Sequence, residues 1–177
     1  MSLPVLIISG TIGAGKSTIG LAVQELLEDL ELPHAFLDLD RLTDTYPKAG
    51  RFNDEVMYKA LAALWPVYRS LGAERLVLSR VVEDLSELGD YEAALGGCSV
   101  TVVLLRASED RRLKRIAARA FGDSLRWHLS RSAELDQVLS DSHAYDFEVD
   151  NDERDPSDTA REILEKVGWI ATEKGAV

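Results

Sequence analysis

Eight consecutive residues, from Gly10 to Ser17, have the types and spacing needed to bind phosphate groups. They read Gly-Thr-Ile-Gly-Ala-Gly-Lys-Ser and fit the pattern G-x-x-x-x-G-K-[ST] without a mismatch. Glycines let backbone N–H groups approach phosphate oxygens, and a following helix adds its free N-terminal amides. Lys16 is expected to lie along the β- and γ-phosphates, and Ser17 to offer its hydroxyl to Mg²⁺. The predicted nucleotide-binding residues are therefore Gly10, Thr11, Ile12, Gly13, Ala14, Gly15, Lys16, Ser17 and Thr18.

The segments on either side of this motif have the character that it requires. Residues 3–8 are apolar and partly β-branched, as a buried parallel strand should be. Residues 18–30 place apolar side chains at helical spacing. Since strand, glycine-rich loop and helix follow one another, we predict that the chain binds a nucleoside triphosphate.

The rest of the chain continues to alternate between strands and helices. Further strands are predicted at 34–38, 76–79, 100–105 and 147–150. Helices are predicted at 53–71 with a break or kink at Pro66, at 83–97 as one or two short pieces, at 109–121, from 123 to about 139, and from Pro156. This alternation predicts an α/β fold with a parallel sheet covered on both faces.

Length and charge limit the classes of function. The 177 residues, 46% hydrophobic, suit one domain spanning 1–177, and the single Cys98 fits a reducing cytoplasm. A net charge of −11 argues against a long nucleic acid as partner. No apolar run is long enough to span a membrane, and the N-terminus lacks the basic region of a signal peptide. We expect a cytoplasmic protein, either monomer or homodimer.

Carboxylates at the end of the second predicted strand are candidates for chemistry. In open α/β sheets the ligand lies beyond the carboxyl ends of the strands, which brings Asp38, Asp40 and Arg41 toward the phosphate-binding motif. Extended geometry would put Asp38 and Asp40 on the same side. A carboxylate there can take the proton of an attacking hydroxyl, hold Mg²⁺ through water, or bind a substrate hydroxyl. Which of the two acts as the base stays open at this point.

The third predicted strand ends differently from that of a typical nucleotide hydrolase. Such enzymes carry an aspartate there to orient magnesium, whereas this chain reads Ser79-Arg80. Arg80 can hold an anionic or polar acceptor, or simply be a surface residue. We include it with Asp38, Asp40 and Arg41 among the substrate-binding candidates.

A series of arginines marks the helix predicted at 109–121. Arg112, Arg115 and Arg119 recur at three- and four-residue steps, so they share a helix face. Arginines of this kind stabilise the negative charge that spreads over a transferring phosphoryl group. Arg115 and Arg119 are the predicted catalytic and nucleotide-binding pair, Arg111 and Arg112 being weaker candidates. A lid that excludes water is predicted within about 111–131, centred on residues 120–125.

On these motifs the chain resembles the small P-loop kinases of the adenylate-kinase-like superfamily, such as shikimate, gluconate and adenylyl-sulfate kinases and chloramphenicol phosphotransferase. The resemblance rests on the motif at 10–17, the Asp-Leu-Asp of 38–40, the arginine pair of 115–119, and Val149-Asp150-Asn151. It implies a P-loop NTPase fold with five parallel strands in the order 2-3-1-4-5. It also implies ATP and Mg²⁺ as cofactors and Asn151 beside the nucleotide.

The motifs with which these kinases bind the phosphate acceptor are not found in this sequence. The glycine triplet of shikimate kinases after the third strand is absent, as is the Asp-Gly-x-Pro-Arg segment of nucleoside monophosphate kinases. We therefore predict an ATP-dependent phosphotransferase acting on a hydroxyl of an unidentified small molecule. A regulatory protein that hydrolyses ATP slowly, and a nucleotide or polynucleotide kinase, are the alternatives. The preference for ATP over GTP is not determined by these residues.

Overall fold

The computed structural model describes residues 2–50 and 52–172. Five parallel strands form one sheet in the order β2-β3-β1-β4-β5. The strands are β1 (Leu3–Ser9), β2 (Ala35–Asp38), β3 (Leu76–Ser79), β4 (Cys98–Arg106) and β5 (Phe147–Asp150). The α/β class, the P-loop NTPase fold and the implied order 2-3-1-4-5 are confirmed.

Seven helices connect and cover these strands within the described residues. They are α1 (Lys16–Asp29), α2 (Leu39–Leu42), α3 (Asp54–Ser70), α4 (Leu88–Leu95), α5 (Glu109–Ala117), α6 (Gly122–Ser142) and α7 (Pro156–Lys166). A short 3-10 turn, Leu85–Glu87, precedes α4. No helix in the described part of the chain is both long enough and apolar enough to cross a membrane.

The alternation of side chains along β1 divides the core into two layers. Val5 and Ile7 belong to the cluster on the α3 and α4 side, which includes Leu61 and Tyr91. Leu6 and Ile8 face the opposite cluster, formed with α1 and α7. Because a central parallel strand is buried on both faces, its sequence reads as a continuous apolar run.

Three helix boundaries differ from the sequence-based predictions. α3 runs unbroken through Pro66, so the predicted separation into two segments is wrong. Met57, Leu61 and Trp65 are buried on one face of α3, and this packing offsets the hydrogen bond that a proline removes. α5 ends at Ala117 rather than at 121, and α6 begins at Gly122 and continues to Ser142, beyond the predicted 139.

Asn53 lies at the start of α3, and its side chain forms hydrogen bonds with the preceding loop. Its Oδ1 accepts from the backbone N–H of Ala49 at 2.8 Å, and its Nδ2 donates to Thr43 O at 2.9 Å. The residue is 3% exposed and has a positive φ of 55°. The loop between α2 and α3 is therefore tied to the beginning of α3, which fixes one wall of the site described next.

Candidate active site

The phosphate loop, residues 10–17, joins β1 to α1 and passes very close to two other segments. Gly13 has φ +87°, and a Cβ there would lie 2.8 Å from the carbonyl oxygen of Arg112. Gly15 has φ +105°, and a Cβ there would lie 2.6 Å from Nδ2 of Asn151. Only glycine combines this backbone conformation with so close an approach. The loop is thus pressed against α5 and against the residue that follows β5.

Lys16 lies inside the curve of the phosphate loop. Its Nζ donates to the carbonyl oxygens of Gly10, at 2.9 Å, and Thr11, at 3.1 Å. The residue is only 9% exposed. Burial lowers the pKa of Lys16 to about 8, an effect that the nearby Asp40 carboxylate partly opposes. A desolvated cation held at a cluster of backbone amides is suited to attract phosphate oxygens.

Ser17 and Asp38 meet at the mouth of this loop. Ser17 Oγ donates to Asp38 Oδ2 at 2.6 Å, and Asp38 Oδ1 accepts from the backbone N–H of Asp40 at 3.2 Å. A hydroxyl and a carboxylate are the hard oxygen donors that Mg²⁺ prefers. Among the described residues, no group of three or more His, Cys, Asp or Glu side chains could hold a metal. Ser17 and Asp38 offer two oxygen ligands, which suits a Mg²⁺ that takes its remaining ligands from water and phosphate.

Asp40 lies beside Asp38 but binds a different partner. Arg80, which directly follows β3, donates to Asp40 Oδ1 at 2.7 Å and to Asp54 Oδ1 at 2.5 Å. Burial tends to lower the pKa of Arg80, but the Asp40 and Asp54 carboxylates raise it overall. The structure thus joins three predicted site residues, Asp38, Asp40 and Arg80. Arg41 lies apart from them, since its side chain is 82% exposed and pairs with Asp44 at 3.8 Å.

Arg115 and Asn151 hold the phosphate loop from its outer side. Arg115 donates to the carbonyl oxygens of Gly13, at 3.1 Å, and Ala14, at 3.0 Å. Asn151 Nδ2 donates to Ala14 O at 2.8 Å, and Asn151 O accepts from Arg115 at 3.4 Å. Burial and the neighbouring Arg111 lower the pKa of Arg115. Both predicted residues are at the loop, but their contacts are with its backbone.

Arg119 is placed differently from Arg115. It lies beyond the end of α5, is exposed, and lines the same cavity as Lys16 and Ser17. Its positive charge contributes to the lowered pKa of Lys16. Of the two predicted arginines, Arg119 is therefore the one that faces the space where phosphates would lie.

Two further side chains contact the phosphate loop from α5 and α6. Arg112, only a weaker candidate from the sequence, is buried, donates to Thr11 Oγ1 at 3.3 Å and pairs with Asp136 of α6. Ser132, also on α6, donates from Oγ to Ile12 O at 3.1 Å. The arginine spacing hints at Arg112, but nothing in the sequence shows that α6 packs against the phosphate loop.

A cavity of about 880 Å³ opens from the phosphate loop toward α3 and α6. On the loop side it is lined by Ile12, Gly13, Gly15, Lys16, Ser17 and Thr18. On the opposite side it is lined by residues from the α2–α3 loop, the start of α3, the segment after β3, and α6. This volume lies within the usual range of small-molecule binding sites. Trp127, His128 and Arg131 of the predicted lid region form part of the wall.

Comparison with known proteins gives the fold. No protein-family model matches the chain, and no curated protein matches its sequence significantly. Among solved structures, shikimate kinase from Acinetobacter baumannii in complex with shikimate superimposes with a TM-score of 0.61 at 18% identity, covering 97% of this chain and 96% of that one. The Deinococcus radiodurans tunicamycin resistance protein gives 0.66 at 17% identity, covering 94% and 96%. The Mycobacterium tuberculosis APS kinase in complex with AMPPNP and APS gives 0.59 at 17% identity, covering 94% of this chain and 98% of that one. The chain shares the fold of these three proteins over nearly its whole length.

Proposed function

We propose that this chain is an ATP-dependent kinase that transfers the γ-phosphoryl group to a hydroxyl of a small molecule. One observation supports this more than any other. The phosphate loop and the Asp40–Arg80–Asp54 group open into the same cavity, so a nucleotide on one side faces an acceptor on the other. The fold is shared with kinases whose solved complexes contain shikimate, or AMPPNP and APS.

The donor side is formed by the phosphate loop. Its backbone N–H groups and the N-terminus of α1 hold the phosphates, and Lys16 neutralises their charge. Ser17 and Asp38 would hold Mg²⁺, which would neutralise phosphate charge. Arg119, which lines the cavity together with Lys16 and Ser17, stabilises the charge on the γ-phosphoryl oxygens during transfer. Arg115 and Asn151 keep the loop in shape.

The acceptor side is formed around Asp40. Its Oδ1 is held by Arg80, so the carboxylate has a fixed direction. The acceptor hydroxyl oxygen attacks the γ-phosphorus, and the bond from that phosphorus to the β–γ bridging oxygen breaks. ADP leaves with the electron pair of that bond, and the hydroxyl proton passes to the Asp40 carboxylate and then to water. Water must be kept out during this step, which is the role we assign to a lid within 111–131.

The experiment that tests this proposal measures ADP release from Mg·ATP with and without candidate hydroxyl compounds. A large stimulation by one compound, with that compound recovered phosphorylated, establishes the kinase. ATP binding with slow release that no compound stimulates would favour the regulatory hypothesis instead, in which the chain signals by conformation.

A further inference from the structure

The acceptor side of the cavity carries an excess of negative charge. Apart from the phosphate loop and Arg119, the described residues of the cavity wall include six carboxylates and three cations. The carboxylates belong to Asp40, Asp44, Asp54, Glu83, Glu87 and Asp90, and the cations to Lys48, Arg80 and Arg131. The wall that would surround the acceptor is therefore acidic, whereas the phosphate side is basic.

Arg80 and Arg131 are each already neutralised by two carboxylates. Arg80 is bound by Asp40 and Asp54, with only 15% of its side chain exposed. Arg131 is bound by Glu83 and by Glu134 at 2.7 Å, with 7% of its side chain exposed. An anionic acceptor would have to displace these carboxylates or lie beside them, and both are unfavourable.

Tyr58 lies within this negative field. It lines the cavity near the start of α3. Burial raises the pKa of Tyr58 first, and the Glu87, Asp90 and Asp54 carboxylates raise it further. The carboxylates are thus close enough to this part of the cavity to influence a group on its wall.

Aromatic rings complete the wall. Tyr46, Phe52, Tyr58 and Trp127 line the cavity, Tyr46 being 94% and Trp127 49% exposed. The face of Phe52 is already occupied by the guanidinium of Arg131, 5.1 Å from the ring centre. Aromatic faces beside carboxylates are a favourable environment for an ammonium group.

If the proposed kinase function holds, we infer that its acceptor carries a positive charge: it is a hydroxyl compound with one or more protonated amines, of the amino-sugar or amino-alcohol type. Carboxylate-, sulfate- and phosphate-bearing hydroxyl compounds are disfavoured by the acidic wall. This distinguishes the chain from the neighbours whose structures hold shikimate or APS.

The test uses three sets of probes with the full chain bound to Mg·AMPPNP. The cationic set is kanamycin, glucosamine and ethanolamine, the uncharged set is glucose, uridine and chloramphenicol, and the anionic set is gluconate, shikimate and adenylyl sulfate. Binding is measured by ligand-observed NMR at low salt, and turnover by ADP release with Mg·ATP. We expect a cation to bind at least about tenfold more tightly than any uncharged or anionic probe. Preference for an uncharged or anionic probe, or no binding by any cation, would overturn the inference.

Two variants separate the charge effect from general damage. Asp44→Asn/Asp90→Asn removes two carboxylates of the wall that lie outside the Ser17–Asp38 and Arg80 contacts. We expect it to weaken binding of the best cation by about tenfold while leaving Mg·AMPPNP affinity unchanged. Asp29→Asn, an exposed residue at the end of α1, is the matched control and should change neither. An unchanged cation affinity in the double variant would contradict the inference. Failure of wild type to bind Mg·AMPPNP would instead contradict the proposed function.

Discussion

Ser17 Oγ lies 2.6 Å from Asp38 Oδ2, although the two residues are 21 positions apart in the chain. The contact joins the first turn of α1 to the end of β2. It lies at the carboxyl ends of the parallel strands, where open α/β sheets bind their ligands. It gives Asp38 and Asp40 different surroundings, because Asp40 turns toward Arg80 instead. Replacing Asp38 and replacing Asp40 should therefore affect the reaction in different ways.

Asp38→Asn should mainly weaken the binding of Mg²⁺. We predict a fall in kcat of about a hundredfold or more and a shift of the Mg²⁺ dependence to higher concentration, since an amide is a weaker ligand than a carboxylate. Asp40→Asn should lower kcat and raise the acceptor KM without moving the Mg²⁺ dependence. Mg²⁺ titrations of ADP release for both variants make the comparison. Identical Mg²⁺ dependences in the two variants would contradict the division of roles.

Lys16→Met should abolish turnover while leaving the fold intact. The amine is desolvated and donates to the carbonyl oxygens of Gly10 and Thr11, so its removal leaves no buried charge without a partner. We predict a fall in kcat of about 10²–10³. The circular dichroism spectrum should stay close to that of wild type, which would show that the fold is intact. Normal turnover in this variant would show that the phosphate loop is not the donor site.

The same lysine makes stability depend on pH in a defined window. Its pKa is about 8 in the folded chain, against the ordinary lysine value of 10.5 expected for the unfolded chain. Between these values the unfolded state binds more protons, so the free energy of unfolding rises with pH. The gain in the free energy of unfolding is absent below about pH 8 and complete above about pH 10.5, and it amounts to about 3 kcal/mol. We predict that the difference in free energy of unfolding between wild type and Lys16→Met shifts in favour of wild type across this window.

The exposed Lys59 provides the control for this pH effect. It pairs with Glu55 on the surface of α3, with 74% of its side chain exposed. Lys59→Met is carried through the same urea titrations as Lys16→Met, so that any effect common to removing a lysine can be subtracted. Equal slopes for the two lysine variants would show that burial of Lys16 is not the cause.

Arg115→Met should weaken nucleotide binding more than catalysis. Arg115 bonds to the carbonyls of Gly13 and Ala14, so we class it as a positioning residue for the loop. We expect the KM for ATP to rise about tenfold with kcat within about threefold of wild type. Lys114→Met, on the exposed face of the same helix and paired with Asp110, is the matched control. A large loss of kcat at unchanged KM would instead place Arg115 on the transferring group.

The position of the phosphate motif between β1 and α1 could be predicted from the sequence because local signals carry it. The phosphate motif lies between a strand and a helix, and the alternation of strands with helices was enough to give the parallel sheet. Asp38, Asp40 and Arg80 were found because they follow strands whose ends meet at one edge. The limits of β3 and β5 match the prediction because β3 is a short, mostly apolar run and β5 alternates between apolar and charged residues.

Long-range packing accounts for what the sequence did not show. Ser132 and Asp136 reach the phosphate loop and Arg112 only because α6 folds back over α5. Pro66 suggested a helix break, but α3 continues past it on a buried face. The pairing of Arg80 with Asp54 could not be inferred either, since it depends on how the α2–α3 loop closes.

The most direct test of the central claim is coupled ADP release from Mg·ATP, measured with and without the cationic, uncharged and anionic hydroxyl compounds. We predict strong stimulation by one hydroxyl compound, a phosphorylated product formed in step with ADP, and loss of the stimulation in Asp40→Asn. ADP release that is slow, independent of every compound and unchanged in Asp40→Asn would contradict the kinase assignment.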